Sequence, residues 1–285
     1  MEITRSVIEL IELALAEDAG GGDVTTAATI VSKGGGRGEM VSEAVVRGKE
    51  PLVLAGLDVF KEVLRRCGGG VEFSEGRSDG DSIVAGDTIL KVKGPTGVLL
   101  VGERTALNFL MRLSGIATMT SSVVGKLGRG DIKVVDTRKT TPGWRYLEKY
   151  AVRVGGGHNH RFSLTDGVLI KDNHITAAGG ITGAVKRAKE YVPHTLKIEV
   201  EVKNPDEIDQ AIGAGADILL LDNMDRKAVE KAVKQIKGRA LIEVSGGITP
   251  ENIADYAVDG VHFISMGHLT HGARSVDINM KIEVP

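Results

Sequence analysis

The sequence predicts an α/β protein: a small sheet flanked by helices in the first third, then a parallel β/α barrel. Three observations predict it. Between about residue 39 and residue 100, apolar and polar residues alternate with period two between glycine and proline breaks, the pattern of half-buried strands. After residue 130, short and continuously apolar runs alternate with helical stretches about every twenty residues, as in parallel strands covered on both faces. A charged or glycine-rich group closes each of those runs, and Glu201, Asp222, Ser245 and Gly267 follow one another at intervals of 21, 23 and 22 residues. Polar groups at one place in every repeat converge on a single mouth if the sheet closes, which is where barrels bind their substrates. A doubly wound sheet would gather them in one crevice instead.

Taken in order, SVIELIELALAE (6–17) has apolar positions at helical spacing, with Ser6 as N-cap and Gly20–Gly22 as the stop. GEMVSEAVVRG (38–48) reads as a strand, LVLAGLDVFKEVLRRC (52–67) contains one helix, and TILKVKGPTGVLLV (88–101) reads as strand again. Residues 102–127 form one long helix. The repeats follow: IKVVDT (132–137) before a helix at 143–153, GVLIKDN (167–173) before 180–191, and KIEVEV (197–202) before 205–213. DILLLDN (217–223) precedes a helix at 225–237, ALIEVSGG (240–247) precedes one at 250–256, and GVHFISMG (260–267) closes the series.

Composition excludes several classes. The 285 residues are 42% hydrophobic and 26% charged, enough for one large or two smaller domains. A net charge of −2 gives no global pull toward nucleic acid or acidic membranes, so any anion site must be a local gathering of cations. Aromatic residues are only 4%, too few for a platform of rings stacked on single-stranded nucleic acid. One cysteine, Cys67, allows no disulfide framework and reads as a structural thiol. No apolar run has the length of a membrane span, and the acidic N-terminus resembles neither a signal nor a transit peptide, so a soluble, cytoplasmic protein is expected.

The residues with chemistry sit at the ends of the repeats. SGGIT (245–249) joins a strand end, two glycines and a helix start, and SMGH (265–268) supplies the next loop. Bare amides and a helix N-terminus favour a phosphate dianion, and barrels often hold phosphate after their last two strands; glycines that merely make tight turns are the alternative. Glu201 and Asp222 can hold Mg²⁺, touch sugar hydroxyls or form structural salt bridges. Glu199 lies on the same face as Glu201, one layer deeper, where it could neutralise a lysine inside the barrel. Arg138, Lys139, His160, Arg161, Lys171 and Arg104 form a basic group. Most of them end apolar strands or follow the triplet Gly155–Gly157, which disfavours simple surface decoration. No Cys/His spacing suggests zinc, and no Ser-centred elbow suggests acyl transfer.

These residues carry a resemblance. EDAGGGDVTT (17–26), GERTALNFLMRLSGIAT (102–118), DTRKTTPG (136–143), GGGHNHR (155–161), LIKDNH (169–174), IEVEV (198–202), LLLDN (219–223) and EVSGGIT (243–249) together resemble the quinolinate phosphoribosyltransferases, nearly end to end. The resemblance implies an N-terminal α/β sandwich (1–110), joined by the C-terminal tail (271–285), and an incomplete, open TIM-like barrel (111–270). It implies decarboxylating transfer from phosphoribosyl pyrophosphate to quinolinate, giving nicotinate mononucleotide, pyrophosphate and CO₂ in de novo NAD synthesis. Arg104, Arg138, His160, Arg161 and Lys171 would hold the quinolinate carboxylates, with Lys139 between the two substrates. Lys139, Lys171, Glu201 and Asp222 would be catalytic, the last two meeting ribose hydroxyls or Mg²⁺, directly or through water. Ser245, Gly246, Gly247 and Gly267 would cradle the 5′-phosphate. A homodimer, or an assembly of dimers, is implied in which Arg104 reaches into the neighbour's site, with no nucleic acid or membrane partner. Trp144, and His268 and Gly272 against the common GALTHS pattern, depart from the family.

The nearest competitor is a paralogue of the same fold associated with molybdate transport, with a different substrate; it should lose parts of the carboxylate-binding set, which is whole here. A nicotinate-using phosphoribosyltransferase would need fewer cations. A barrel kept only for binding would show affinity without turnover.

Overall fold

A computed structural model describes residues 1–30, 40–74 and 76–283. Gly38 and Glu39 of the first predicted strand, and Val284 and Pro285 of the tail, lie outside the described residues. In chain order the elements are α1 (Arg5–Ala19), α2 (Val24–Thr29), β1 (Val41–Gly48), β2 (Leu52–Val53), α3 (Leu57–Arg66), β3 (Glu72–Ser74), β4 (Ser82–Ile83), β5 (Thr88–Pro95) and α4 (Thr96–Leu127). Then come β6 (Lys133–Val135), α5 (Arg145–Val154), β7 (Val168–Ile170), α6 (Asp172–Ala177), α7 (Ile181–Tyr191), β8 (Ile198–Val202), α8 (Pro205–Ala214) and β9 (Ile218–Asp222). The chain ends with α9 (Arg226–Ile236), β10 (Leu241–Ser245), β11 (Phe263–Ser265), α10 (His268–His271) and β12 (Ile278–Glu283).

The chain forms two compact units, one of residues 1–119, 141–155 and 273–285, the other of 120–140 and 156–272. The first holds a four-stranded sheet in the order β12-β1-β5-β3 and the short pair β2-β4. Its β12 runs antiparallel to β1, pairing Ile278 with Gly48 and Glu283 with Glu43. The tail reaches that edge by passing close to α4 at Gly115: a Cβ there would collide with the Arg274 carbonyl, and Val276 N donates to Met111 O at 3.2 Å. The core of this unit includes Val59, Phe60, Val63 and Leu64 of α3 and Ile89, Leu90 and Val92 of β5, all essentially inaccessible.

The second unit is a six-stranded parallel sheet in the order β6-β11-β10-β9-β8-β7, with β6 and β7 at its two ends. This is the open, TIM-like α/β arrangement: β9 is apolar up to Asp222, and β8 is buried along its whole length although it carries Glu199 and Glu201. Helices α7, α8 and α9 bury one face each, through Val185, Ile208 and Val229 among others. No helix among the described residues is long and apolar enough to cross a membrane.

Four local readings differ from the sequence pattern. The N-cap of α1 is Thr4, whose hydroxyl accepts from Val7 N, rather than Ser6. VLLV (98–101) belongs to α4 rather than to a strand, since a short apolar run has no period of its own. The short helix α2 is capped by Asp23, whose Oδ1 accepts from Thr25 N and Thr26 N at 2.9 and 3.0 Å. The helix expected at 250–256 is only a 3₁₀ turn, Ile253–Tyr256.

Candidate active site

The carboxyl ends of the parallel strands close around a cavity of about 620 Å³ in the second unit. Arg138 and Lys139 follow β6, Lys171 follows β7, Glu201 lies near the end of β8, and Asp222 and Ser245 end β9 and β10. All six line the cavity, as do His160, Arg161, Gly246, Gly247 and Gly267. Every sequence-predicted site residue is therefore brought to one mouth except Arg104, which lies exposed on α4 in the first unit.

Each side chain has a local reason for its place. The segment after the glycine triplet runs beside β6: His158 N donates to Val134 O at 2.8 Å and Asp136 N to His158 O at 3.1 Å. Gly156, at φ +87, makes the turn that permits this. The buried Asp136 carboxylate then accepts from His160 N at 2.9 Å and Asn159 Nδ2 at 2.6 Å, delivering His160 and Arg161 into the barrel. Burial and the adjacent Arg138 guanidinium both disfavour charge on Arg161. Crowded cations of this kind are stabilised by an anion between them.

Lys139 is fixed by its backbone: its carbonyl accepts from Thr270 Oγ1 at 2.7 Å and its amide donates to Thr137 Oγ1 at 3.1 Å. Among the described residues its ammonium group has no acidic partner. Lys171 Nζ bonds Glu201 Oε2 at 3.1 Å. The resemblance gives His160 as a carboxylate ligand. Here Nδ1 accepts from Arg161 N at 2.8 Å and Nε2 meets Glu199 Oε2 at 3.0 Å, so the ring reaches a substrate anion only by giving up one of those bonds. Glu199 does point into the barrel, but it faces this histidine rather than a lysine.

The glycine turn works without a helix. Gly246 and Gly247 have φ +92 and +63, and Asn223, on the neighbouring turn, has φ +53. Only a 3₁₀ turn follows Gly247, and α10 after Gly267 has four residues. The turn is held by Asn252, which accepts from Thr249 N at 2.7 Å and donates to Gly247 O at 3.0 Å. Successive left-handed glycines leave a concave row of amides suited to an anion.

The departures from the family pattern have packing causes. Trp144 precedes α5 and stacks on Phe109, with ring centroids 4.6 Å apart. His268 and Gly272 match each other, because a Cβ on Gly272 would run into the His268 ring. Cys67 ends α3, and burial pushes its thiol up, as expected of a structural group. Sequence reasoning missed Glu243, which also lines the cavity; the available signal was an acid inside the apolar run LIEVS, placed relative to Ser245 as Glu199 is to Glu201.

Fold and site together define an open α/β barrel with cations, carboxylates and a glycine turn gathered in one cavity at the carboxyl ends of its strands. Family models described as the N-terminal and C-terminal domains of quinolinate phosphoribosyl transferase match residues 23–114 and 116–281. The chain belongs to the quinolinate phosphoribosyl transferase family. It is 43% identical over 266 residues to a probable carboxylating nicotinate-nucleotide pyrophosphorylase of Bacillus subtilis, covering 93% of this chain and 90% of the relative. It is 39% identical to a chloroplastic carboxylating nicotinate-nucleotide pyrophosphorylase of Arabidopsis thaliana, covering 98% of this chain and 84% of that one. Among solved structures, NadC from Streptococcus pyogenes superposes with a TM-score of 0.93 at 42% identity, covering 99% of this chain and 98% of that one.

Proposed function

We propose that the chain transfers a phosphoribosyl group from phosphoribosyl pyrophosphate to the nitrogen of quinolinate with loss of CO₂, giving nicotinate mononucleotide and pyrophosphate. One observation carries the reading: Arg138, Lys139, Arg161 and Lys171 line a single cavity together with Glu201, Asp222 and the Ser245–Gly247 turn. Four cations in one mouth suit two polyanionic substrates that would otherwise repel each other, and holding them in register supplies much of the rate.

In this reading Arg138, Arg161 and Lys171 hold the two ring carboxylates, Arg138 and Arg161 as forks. The 5′-phosphate rests on the amides of Gly246, Gly247 and Gly267, beside Ser245. Lys139 stands between the substrates and steadies the departing pyrophosphate. Glu201, oriented by Lys171, meets the ribose hydroxyls and, with Asp222, faces the positive charge that develops at the anomeric carbon. Asp222 offers hard oxygen donors that form no hydrogen bond or ion pair among the described residues, only a longer-range attraction to Lys203, which fits magnesium held directly or through water. Magnesium, when bound, neutralises pyrophosphate charge. The ring nitrogen attacks as pyrophosphate leaves; the resulting pyridinium accepts the electron pair of the adjacent C–C bond, and CO₂ departs without a further cofactor. Arg104 is proposed to complete the site of a second copy of the chain.

The test mixes protein, Mg²⁺, phosphoribosyl pyrophosphate and quinolinate labelled at the 2-carboxylate. Labelled CO₂ should appear only when all are present; consumption of nicotinate without CO₂ would refute the reading. An Arg104→Ala subunit paired with a Lys139→Ala subunit should recover activity, and none in verified mixed dimers would refute sharing.

A further inference from the structure

One end of the cavity is short of positive charge. Of the described residues that line it from Ser245 onward, only His268 and His271 can carry a positive charge. In the function proposed above, this end receives the 5′-phosphate on backbone amides and the Ser245 hydroxyl, all of them neutral donors. Hydrogen bonds from a charged donor are about twice as strong as neutral ones, so a phosphate dianion gains from having one. The four residues of α10 add little, because a helix dipole is a sum over aligned peptide units. Lys139 passes the bare face of Gly267, where a Cβ would stand 2.8 Å from its Cδ, but its ammonium serves the pyrophosphate in that reading.

The two histidines are held differently. His271 is exposed, and its Nε2 would stand 3.2 Å from a Cβ on Gly267. His268 is half-buried and packs on Gly272, where a Cβ would run into Nδ1, Cε1 and Cγ of the ring. Nε2 is therefore the ring nitrogen farther from that contact. The His271 ring meets the His268 ring edge to face, with centroids 5.8 Å apart. Neither imidazole forms a hydrogen bond or ion pair among the described residues. The acid in range of His268 is Glu251, whose carboxyl is held down first by the Thr249 hydroxyl and, more weakly, by Lys126 and His268. His268 thus faces both loops of the glycine-rich end, the one after β10 and its own after β11.

We propose that the His268 side chain is a phosphate ligand: held in place by Gly272, it donates from Nε2 to the 5′-phosphate of phosphoribosyl pyrophosphate and of the mononucleotide product. His268 and Gly272 then act as one device. The histidine supplies a donor that an aliphatic side chain at this position lacks, and the glycine supplies the room that fixes the ring. A ring already fixed by packing loses little freedom when it binds, so more of the hydrogen bond appears as affinity. The charged and titratable groups around it are Glu251, Lys126 beyond that acid, His271 on its own turn and Lys139 across Gly267. The proposal rests on the function above for the identity of the phosphate ester.

The test compares wild type, His268→Ala, His268→Gln and Gly272→Ala. The probe is ribose 5-phosphate, which carries the phosphate without the pyrophosphate or a carboxylate. His268→Ala should bind it about tenfold more weakly, the size expected for one charge-assisted hydrogen bond. The same variant should raise KM for phosphoribosyl pyrophosphate by about tenfold while kcat and KM for quinolinate stay within about twofold. His268→Gln, whose amide can place an N–H near Nε2, should recover to within about threefold of wild type, which a ring that merely fills space would not allow. Gly272→Ala should weaken ribose 5-phosphate in the wild-type background and add nothing to His268→Ala. Nitrogen-15 NMR of the wild type, which needs no variant to fold, should show the His268 Nε2 signal move with excess ribose 5-phosphate and stay put with ribose. An unmoved signal, affinity within about twofold of wild type in His268→Ala, equal rises in both KM values, or a glutamine variant no better than alanine would overturn the proposal. Absence of quinolinate turnover with a His268 signal that still responds to ribose 5-phosphate would remove the function and keep the phosphate ligand; normal turnover with an unmoved signal would do the reverse.

Discussion

An alanine at Gly246 should break the phosphate turn, and the cost can be worked from the neighbouring atoms. Its Cβ would stand 2.5 Å from Asn223 Cγ and 2.8 Å from Asn223 N, at a φ of +92. Asn223 has little room to yield, because its amide donates to Ser245 O at 2.9 Å and its own φ is +53. Left-handed backbone costs a non-glycine residue about 1–2 kcal/mol. Overpacking adds about 1–3 kcal/mol, for about 2–5 kcal/mol together. The cost surfaces in one of two places. If the turn holds its shape, the folded protein loses stability. If the turn relaxes, its amides no longer converge, and affinity for phosphoribosyl pyrophosphate falls about 30- to 3000-fold, at tenfold per 1.4 kcal/mol. Urea unfolding without ligand and calorimetric titration with phosphoribosyl pyrophosphate and Mg²⁺, on the same preparation, should give losses that sum to at least about 2 kcal/mol. Gly247→Ala, whose Cβ meets nothing within 4 Å, should cost less in the ligand-free unfolding measurement. An unchanged unfolding midpoint together with affinity within about twofold of wild type would refute the reasoning.

Lys139→Ala should lower kcat more than about 100-fold, since preorganised charge at a leaving group is worth several kcal/mol; a loss under about threefold would take Lys139 out of the site. Glu148 is fully buried and accepts from Arg112 Nη2 at 2.9 Å, Thr141 Oγ1 at 2.9 Å and Thr141 N at 3.1 Å. Glu148→Leu should cost about 3–5 kcal/mol in chemical unfolding, because it removes the acidic partner of a partly buried guanidinium. The carboxyl of Glu50 is held down at about 2, first by Arg274 and then by the Asp277 amide, against 4.5 for an ordinary glutamate. Its folded value lies below its unfolded one, so its contribution is complete above pH 4.5 and is lost as the pH falls through about 2; Glu50→Gln should remove that part of the acid-unfolding curve. Gly272→Ala should destabilise the protein alone but not beside His268→Ala, and a double-mutant cycle with coupling under about 0.5 kcal/mol would refute the matched packing.

The sequence pattern exposed what depends on local repetition and hid what depends on distant partners. The strands β8, β9 and β10 were legible because both their faces are buried, which leaves short runs rich in Ile, Leu and Val that end in polar groups at the barrel mouth. Glu201, Asp222 and Ser245 were legible for the same reason, being the polar ends of those runs. The start of α4 was not, because VLLV fits strand and helix equally, and only its burial at Leu99 within one long helix decides it. The helix expected after SGGIT was a false reading of polar residues that instead hold a turn: Asn252 spends its side chain on Thr249 N and Gly247 O. Glu243 stayed hidden because its meaning comes from His160, which arrives from a different part of the chain along β6.

The placement of charge explains why the cations of this mouth remain available to substrates. A barrel interior holding several guanidinium and ammonium groups would ordinarily neutralise them with its own acids, and this one has the acids to do so. It distributes them by depth instead. Glu201 takes Lys171 at the rim, an ion pair that orients both partners while leaving the Lys171 side chain half exposed. Glu199 and Glu243 lie further inside, directed at His160 rather than at the arginines and lysines of the mouth. Asp136, buried just after β6, is occupied by the His160 and Asn159 N–H groups. Arg138 and Lys139 are thereby left with no acidic partner among the described residues, and Arg161 faces Arg138 across the mouth. Under the proposed function, such an arrangement is least stable when empty, so a bound dicarboxylate would relieve repulsion already present in the free protein, and part of its affinity would come from the ligand-free state rather than from new contacts.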